Sequence, residues 1–293
     1  REIVMEITAS LVKELRERTG AGMMDCKLAL NEASGDIEVA IEIMRKSGAA
    51  KAAKKAGRIA AEGVISIKQK ENDIVILEVN CETDFVAKDD NFLSFVENII
   101  DVIMNNNIDN VDDLIKLNIG NQTIEEATQQ LVTKIGEKVT IRRFDKCTIK
   151  NKIGTYLHGT RIGVVVEIEG DNEELAKDIA MHIAASKPLY IDKNNVAKEV
   201  LDKEREIYMA QAQESGKSAE IIDKMVEGRI KKYIKEITLL GQPFVKDPEQ
   251  SIEKILQSGE TKVLSFIRYE VGEGIEKRSD NFAEEVMSQA KGD

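Results

Sequence analysis

A pattern that occurs twice in the sequence constrains the fold of this chain more than any other feature. Ile76-Leu77-Glu78-Val79 and Val165-Val166-Glu167-Ile168 are short apolar runs, and each precedes an amphipathic helical pattern. Runs of this type predict mostly buried strands. A further strand-like run lies just before each of them, so each copy predicts a β-hairpin with a helix packed on one face. The repeat therefore predicts two related α+β subdomains.

The connection between strand and helix differs between the two copies. The second copy needs only Gly170-Asp171-Asn172, whereas the first inserts Cys81 to Asp89, with the large aromatic Phe85 in the middle. Because a short turn is sufficient to join strand to helix, the longer segment is not needed for folding, and such connections often carry function. The local pattern leaves Phe85 either folded back onto the core or presented to a partner. The comparison of the two copies favours presentation.

The composition argues against several classes of function. A net charge of −11 disfavours broad affinity for nucleic acid or for anionic membranes. Cys26, Cys81 and Cys147 are widely separated without a CxxC pair, and the histidines His158 and His182 lie far from them in sequence. This spacing predicts neither a disulfide framework nor a zinc site, and it is typical of a reducing compartment.

No stretch of the sequence predicts a membrane span, since none approaches the required run of apolar residues. The first residues, Arg1-Glu2-Ile3-Val4-Met5, lack the apolar segment of a signal peptide. Met5 is a candidate for the native start, with the preceding four residues as an expression remnant. Together with the cysteine usage, these features predict a cytoplasmic protein.

Residues 6–48 predict a bundle of three short helices, the third beginning after Asp36 and ending at Ser47-Gly48. The Met23-Met24 pair in the second helix is either an adaptable contact surface or part of the core, and we expect at least one of the two in the core. Residues 49–62 are rich in alanine and lysine and predict a helical linker with a solvated basic face. A nucleic-acid patch is the alternative, but no aromatic residues alternate with the lysines.

The region after the second copy predicts two further helical elements. Residues 192–237 are highly charged and predict an antiparallel helical hairpin, whose thin apolar stripes suit a protruding element that binds a partner or a second copy. Asp247-Pro248 predicts the start of another helix, and Asp280 can cap a last one with Phe282 and Val286 on its apolar side. The predicted domains are residues 6–48 (three-helix bundle), 49–62 (linker), 63–144 (first core subdomain), 145–188 with 238–271 (second core subdomain), 189–237 (inserted hairpin) and 272–293 (C-terminal helical module).

The sequence contains no phosphate loop, dinucleotide fingerprint, nucleophile elbow or zinc-protease motif. A catalytic dyad of Cys81 with His158 or His182 is conceivable, but no third orienting group is suggested, so a thiol enzyme is the weaker interpretation. Glu82, Asp84 and Asp89 could be imagined as metal ligands. They lack the ordered spacing of a calcium loop, and solvated loop charges are the better interpretation.

Several motifs, in order along nearly the whole chain, closely resemble one family. They are Leu11-Val12-Lys13-Glu14-Leu15-Arg16-Glu17-Arg18-Thr19-Gly20-Ala21-Gly22-Met23-Met24-Asp25-Cys26-Lys27, Glu78-Val79-Asn80-Cys81-Glu82-Thr83-Asp84-Phe85-Val86-Ala87-Lys88, His158-Gly159-Thr160-Arg161-Ile162-Gly163, Ala180-Met181-His182-Ile183-Ala184-Ala185-Ser186-Lys187-Pro188, Gly241-Gln242-Pro243-Phe244-Val245 and Arg268-Tyr269-Glu270-Val271-Gly272-Glu273-Gly274-Ile275-Glu276. In these motifs the chain resembles bacterial translation elongation factor Ts, the guanine-nucleotide exchange factor of elongation factor Tu.

The resemblance implies both a fold and a mechanism. The implied fold is α+β, with a ubiquitin-associated-like (UBA-like) N-terminal bundle, two core subdomains, an inserted coiled-coil hairpin and a C-terminal helical module. It also implies that Thr83-Asp84-Phe85-Val86 enters the G domain of elongation factor Tu and helps to dislodge Mg²⁺. Arg16, Met23 and Met24 fall where the family's N-terminal domain touches the same partner, and His158 falls where a core contact is made.

The resemblance further implies a factor that needs no cofactor and forms no covalent bond. Its implied partner is elongation factor Tu, both GDP-bound and nucleotide-free, with no direct contact to nucleic acid or membrane. A homodimer through the helical hairpin and a 2:2 complex both stay open. Leu28 and Glu82 stand where relatives can carry Lys and Gln, and Glu82 adds a charge beside the key segment. A binding or scaffold protein without exchange activity is the alternative function.

Overall fold

The computed structural model describes residues 7–276 of the 293-residue chain. Met5 and the last helix expected from Asp280, with Phe282 and Val286, lie outside the described residues. The helices are α1 (Ala9–Thr19), α2 (Met23–Glu32), α3 (Ile37–Lys55), α4 (Asp90–Asn105), α5 (Val111–Leu114), α6 (Ile124–Ile135), α7 (Glu173–Ser186), α8 (Lys198–Gln213), α9 (Ala219–Ile237) and α10 (Ile252–Ser258). The strands are β1 (Glu62–Lys70), β2 (Asp73–Cys81), β3 (Asn118–Ile119), β4 (Gln122–Thr123), β5 (Thr140–Thr148), β6 (Lys152–His158), β7 (Ile162–Glu169), β8 (Pro243–Phe244), β9 (Asp247–Ser251) and β10 (Lys262–Glu270).

The mixture of helices and sheets confirms the α+β class. The described residues form two compact units: unit 1 comprises residues 7–70, 75–146 and 270–276, and unit 2 comprises 71–74 and 147–269. β5 runs across residue 144, where the sequence pattern places the limit of the first subdomain. The finer six-part division of the chain stays a prediction.

The N-terminal part of unit 1 is a bundle of α1, α2 and α3. Thr8 caps α1, since its side-chain oxygen accepts a hydrogen bond from the Leu11 N–H at 3.3 Å, and Gly20 ends this helix in the left-handed conformation. The bundle core consists of small and medium apolar side chains: Val12, Leu15, Cys26, Ala29, Leu30, Ala33 and Ala40. So small a core depends on additional packing for its stability.

The third helix is longer than the sequence pattern predicts. The expected end at Ser47-Gly48 is wrong, because α3 continues to Lys55 and takes in the first part of the segment predicted as a linker. The Ala-rich sequence after Gly48 has high helix propensity and outweighs the roughly 1 kcal/mol cost of one glycine. Gly48 also lies against α6, where an added Cβ would stand 3.4 Å from the Thr133 side-chain oxygen.

The core of unit 1 is a three-stranded sheet in the order β1-β2-β5, covered by α4 and α6. The apolar face predicted for α4 is buried, including Phe92, Ile99 and Ile103. The pattern Thr123-x-x-Glu126 predicts a capping box, and the structure has it at the start of α6: Thr123 accepts from the Glu126 N–H, and the Glu126 carboxylate accepts from the Thr123 N–H. These local patterns place the helices that frame the strand-to-helix connection after β2.

The central strand β2 contains a fully buried carboxylate, Glu78. It accepts hydrogen bonds from Arg142 Nη1 at 2.9 Å, from Arg143 Nε at 2.6 Å, from the Gly272 N–H at 2.8 Å and from Asn80 Nδ2 at 3.1 Å. Burial alone would raise the pKa of Glu78, but these donors outweigh it and hold the pKa below its usual range. The carboxylate therefore stays charged and joins β2, β5 and the chain after β10.

Unit 2 contains the second hairpin, with β6 and β7 antiparallel from Lys152 opposite Ile168 to His158 opposite Ile162. β10 completes a sheet in the order β10-β7-β6, which matches β1-β2-β5 in having the second strand of the hairpin at the centre. A Cβ at Gly154 would stand 2.2 Å from the Ala176 carbonyl oxygen. Only glycine at this position lets α7 lie directly on β6.

The helical hairpin of unit 2 consists of α8 and α9, with a small core of Ala212, Ile222, Val226 and Ile230. Arg205 pairs with Glu227 at 2.9 Å across the two helices. The helix predicted to start at Asp247-Pro248 is wrong: these residues begin β9, and α10 starts only after Ser251, which caps it. Asp247 instead pairs with Phe244 in a short hairpin, a contact that the local cap pattern could not reveal.

We predict that Glu78→Ala lowers the free energy of unfolding by about 3 kcal/mol, because removing one partner leaves the two arginines facing a buried gap. The measurement is urea denaturation followed by circular dichroism. Glu167→Ala is the matched control, since Glu167 occupies the equivalent position in β7 but contacts the exposed Asn151 and Ser265. Its loss should stay within about 1 kcal/mol. Equal losses in both variants would refute the special role of the buried carboxylate.

Candidate functional site

Phe85 is 81% exposed, the largest exposed fraction of any large apolar side chain among residues 7–276. It lies in the connection between β2 and α4, here named the Phe85 loop (residues 82–89). The strand before it is almost entirely buried. Because an exposed aromatic gains free energy when it leaves water, this placement favours contact with another molecule. The outward orientation predicted for Phe85 is what the structure has.

The loop is anchored to the core by the residues that follow Phe85. Val86 and Ala87 are each only 8% exposed and belong to the core cluster of unit 1. They lie in a single 3₁₀ turn, Val86–Lys88, and Phe85 itself is in the right-handed helical region. Asp89 then caps α4, accepting from the N–H groups of Asn91 and Phe92. Phe85 therefore projects from a backbone segment whose following residues are anchored to the core.

The four predicted contact residues, 83–86, thus divide into different environments. Asp84 is exposed and pairs with Lys88 at 3.0 Å, and the hydrogen bond from Lys88 lowers the pKa of Asp84. Thr83 is half-buried and hydrogen-bonds with Glu137 at 2.7 Å. Val86 faces the core, so a direct contact of this side chain with a partner stays a prediction.

A second exposed apolar surface lies on the N-terminal bundle. Met23, Met24 and Leu28, on α2, are 61%, 67% and 61% exposed, and we name them the α2 surface. The expectation that one of the two methionines lies in the core is wrong, because Cys26, Ala29 and Leu30 supply the buried face of this helix. Leu28 is one turn after Met24, so the 3.6-residue period could have identified it as part of the same surface.

The remaining predicted contact residues are also accessible. Arg16 is exposed on α1. His158 ends β6 in unit 2, where its Nδ1 lies 3.2 Å from the Tyr156 hydroxyl and the two rings stack. Neither side chain is required for the buried cores described above, so both are free to contact another molecule. Their roles in binding stay predictions.

Comparison with known proteins decides which family this arrangement belongs to. The family model described as "Elongation factor TS" matches residues 82–273. The elongation factor Ts of Thioalkalivibrio sulfidiphilus is 59% identical over 292 residues, covering 98% of this chain and 100% of the relative. The elongation factors Ts of Methylococcus capsulatus and of Legionella pneumophila (strain Philadelphia 1) are each 54% identical, over 98% and 97% of this chain and 99% of each relative.

The chain belongs to the elongation factor Ts family. In this family member the thiol-enzyme alternative finds no support from Cys81. Burial, with Glu137 and Glu62 nearby, raises the pKa of this thiol to about 12, so it is protonated at neutral pH and is a poor nucleophile. Its S–H instead donates to the Thr83 carbonyl at 3.1 Å. Cys81 therefore supports the start of the Phe85 loop.

The metal-site alternative finds no support either. Glu82 pairs with Arg58, Asp84 pairs with Lys88, and Asp89 caps α4, so the three carboxylates do not converge. Within the described residues, no group of three or more metal-ligating side chains exists. In the same part of the chain no helix is long and apolar enough to cross a membrane. The solvated-charge interpretation fits Asp84, whose side chain is 55% exposed, but not Glu82, whose side chain is only 20% exposed and accepts from the Lys138 N–H.

His182 is buried on α7 and fully hydrogen-bonded. The Val245 N–H donates to its Nδ1 at 3.2 Å, so its proton lies on Nε2, which is 2.9 Å from Gln242 Oε1. Gln242 Nε2 donates in turn to the carbonyls of Ser186 and Glu236. This network suits a neutral imidazole that joins α7, the end of α9 and the following loop. Burial lowers the pKa of His182 below the usual value of 6.5.

We predict that the free energy of unfolding decreases as the pH is lowered below about 6.5, because His182 then favours the unfolded chain. Its folded-state pKa is depressed, so the unfolded chain binds the proton more readily. The contribution of His182 to the free energy of unfolding is complete above pH 6.5. It is lost progressively as the pH falls from 6.5 towards the lower pKa of the folded state. Urea denaturation between pH 7.0 and 5.5, above the range where carboxyl groups usually titrate, measures the slope.

The two histidines of the chain provide a matched pair for this measurement. His182→Gln should flatten the slope of stability against pH, whereas His158→Gln, which removes the exposed imidazole, should retain it. A slope that persists in His182→Gln would exclude this residue as the cause.

Proposed function

We propose that this chain binds elongation factor Tu carrying GDP and promotes the exchange of GDP for GTP. The single observation that carries the proposal is the exposed Phe85 on an anchored loop in a member of the elongation factor Ts family. No covalent step is needed, because the factor only has to favour a partner conformation that holds nucleotide poorly. By linkage, it weakens nucleotide binding by the same factor by which nucleotide weakens binding of the factor.

The Phe85 loop is proposed to enter the partner near its nucleotide site. Burying Phe85 there contributes about 1.5–3 kcal/mol, and each tenfold weakening of nucleotide binding requires about 1.4 kcal/mol of differential binding. One side chain can therefore account for roughly tenfold to a hundredfold. Displacing the partner's Mg²⁺ would remove a cation that neutralises the phosphates and would weaken the hold on GDP further.

The α2 surface and the other accessible predicted residues are proposed to hold the partner during exchange. Met23 and Met24 are flexible and polarisable, which suits a surface that must follow a changing partner. Arg16 and His158 are proposed as additional contacts. This assigns affinity mainly to the bundle and rate mainly to the Phe85 loop.

The helical hairpin and the cysteines bear on the proposed assembly and compartment. Ile207 and Ile221 are exposed on the helical hairpin, which is compatible with a homodimer through this element or with a 2:2 complex. Among the described residues no disulfide joins Cys26, Cys81 and Cys147, and this cysteine usage suits the reducing cytoplasm where translation takes place. No direct contact with nucleic acid or membrane is proposed, in agreement with the net charge of −11.

We predict that Phe85→Ala slows GDP release at saturating factor by at least about tenfold, because the free energy of burying the ring is lost. The fold should be unaffected, since the ring is exposed. Stopped-flow release of a fluorescent GDP from elongation factor Tu measures the rate. Leu93→Ala, which truncates an exposed apolar side chain on α4, should release GDP as fast as the unmodified protein.

Unchanged release by Phe85→Ala at matched saturation would refute the role assigned to this ring. If the unmodified protein forms a complex with elongation factor Tu but never accelerates release, the scaffold alternative replaces the exchange function.

We predict that the double variant Met23→Ala/Met24→Ala raises the half-saturating concentration of the factor by about tenfold, since it removes apolar contact area. The maximal release rate should change little. The same stopped-flow assay over a range of factor concentrations separates the two quantities. Val39→Ala, at an exposed position on α3, is the control. A fall in the maximal rate without a change in half-saturation would contradict the division between affinity and rate.

A further inference from the structure

Glu137 contacts the start of the Phe85 loop although it lies more than fifty residues away in sequence. It follows Gly136, which ends α6. Its Oε2 accepts from the N–H of Glu82 at 3.2 Å and from that of Thr83 at 3.0 Å, and its Oε1 accepts from the Thr83 hydroxyl at 2.7 Å. Hydrogen bonds to an ionised acceptor are about twice as strong as neutral ones. One carboxylate thus fixes the first two residues of the loop.

The contact is reciprocal. The Glu82 carboxylate accepts from the Lys138 N–H at 2.6 Å, so each of the two glutamates binds the backbone of the other segment. Lys138 Nζ donates to the carbonyls of Ala56 and Arg58 at 2.7 and 3.0 Å, and Arg58 pairs with Glu82 at 3.4 Å. Because these side chains and backbone groups are bonded to one another, moving either the loop start or the residues after α6 breaks several hydrogen bonds at once. The charge of Glu82 is thus paired with Arg58 and bound to the Lys138 N–H within this hydrogen-bond network.

The effect of Glu137 reaches Phe85 through Thr83. While the Thr83 hydroxyl donates to Glu137, the same oxygen accepts from the Val86 N–H at 3.3 Å. The Thr83 carbonyl also accepts from Ala87 N at 3.3 Å. The orientation of Thr83 therefore sets the turn that contains Phe85. Without the Glu137 carboxylate, the N–H groups of Glu82 and Thr83 and the Thr83 hydroxyl would lose their acceptor. The first residues of the turn would then no longer be held in one conformation.

We infer that Glu137 is a positioning residue for nucleotide exchange, which holds the Phe85 loop in the conformation that presents Phe85. The inference rests on the proposed function. Glu137 is half-buried and its carboxylate is occupied by the loop, so it acts through Thr83 and Phe85 and not by touching the nucleotide. Molecules that lack it populate the presenting conformation only in part, and their exchange activity falls to that fraction of the full value.

The test is a double-mutant cycle in the stopped-flow GDP-release assay with the full chain and elongation factor Tu. Glu137→Ala should lower the maximal release rate about tenfold with little change in half-saturation, because the α2 surface is intact. In a Phe85→Ala background the same substitution should have almost no further effect, since its action passes through the ring. Glu125→Ala, at an exposed carboxylate on α6, is the control and should release GDP normally.

A second measurement does not depend on the partner. The sequence contains no tryptophan, so Phe85→Trp introduces a single fluorophore at the tip of the loop. Time-resolved anisotropy should show restricted motion in Phe85→Trp and faster, wider motion when Glu137→Ala is added. Circular dichroism confirms that each variant is folded, and Glu137→Gln, which keeps one acceptor oxygen, replaces Glu137→Ala if the latter is not folded.

The outcomes separate the two claims. Normal release by Glu137→Ala, an equal slowing in both backgrounds, or a tryptophan that stays restricted without the carboxylate overturns the role of Glu137 while the exchange function stands. Release that is insensitive to Phe85→Ala overturns the role of the loop and, with it, the inference for Glu137. The inference is supported if Glu137→Ala slows release only when Phe85 is present, and if it makes the tryptophan of Phe85→Trp more mobile.

Discussion

The buried carboxylate of Glu78 is the interaction on which unit 1 depends. A charge in the centre of a sheet is stable only if several donors surround it, and here two arginines of β5, the Gly272 N–H and Asn80 supply them. This requirement places β2 between its neighbours and ties the chain after β10 to the same point. The strand that carries the Phe85 loop is thus held both by apolar packing and by a fully satisfied charge.

The site follows the same logic at the end of that strand. Val86 and Ala87 pack into the core, and Glu137 and Glu82 each bind backbone groups of the opposite segment. A large apolar ring would normally collapse onto its own protein; these anchors keep Phe85 in water, where it can be buried only by another molecule. Preparing the contact surface in advance lowers the cost of ordering on binding, which matters for a factor that must also leave its partner.

The proposed nucleotide exchange requires a protein to divide its binding free energy between holding a partner and changing the partner's conformation. The α2 surface is exposed, flexible in its methionines and remote in sequence from the loop, which suits the first task. The Phe85 loop is anchored at both ends and carries one aromatic, which suits the second. The buried thiol of Cys81 and the neutral imidazole of His182 serve structure in this arrangement, although both residue types often carry chemistry elsewhere.

Much of the fold was predictable because it depends on local patterns. The apolar period of α4, the capping box before α6 and the twice-repeated hairpin and helix all depend on residues close together in sequence. The exposure of Phe85 was predictable for a related reason, since the second copy shows that the connection can be shorter. The longer α3 was missed because Gly48, which packs against α6, resembles a helix stop. The β9 strand was missed because Asp247-Pro248, which turns back to pair with Phe244, resembles a helix start.

The sequence by itself therefore determined the α+β class, the central strands and the outward aromatic, because periodicity and turn residues express local backbone preferences. Only the tertiary structure decided that Met23, Met24 and Leu28 form an exposed surface, since a helical pattern with apolar residues on two faces does not show which face is buried. It alone also decided the role of Glu137. A carboxylate after a helix resembles any solvated charge until folding brings it to the backbone of Glu82 and Thr83.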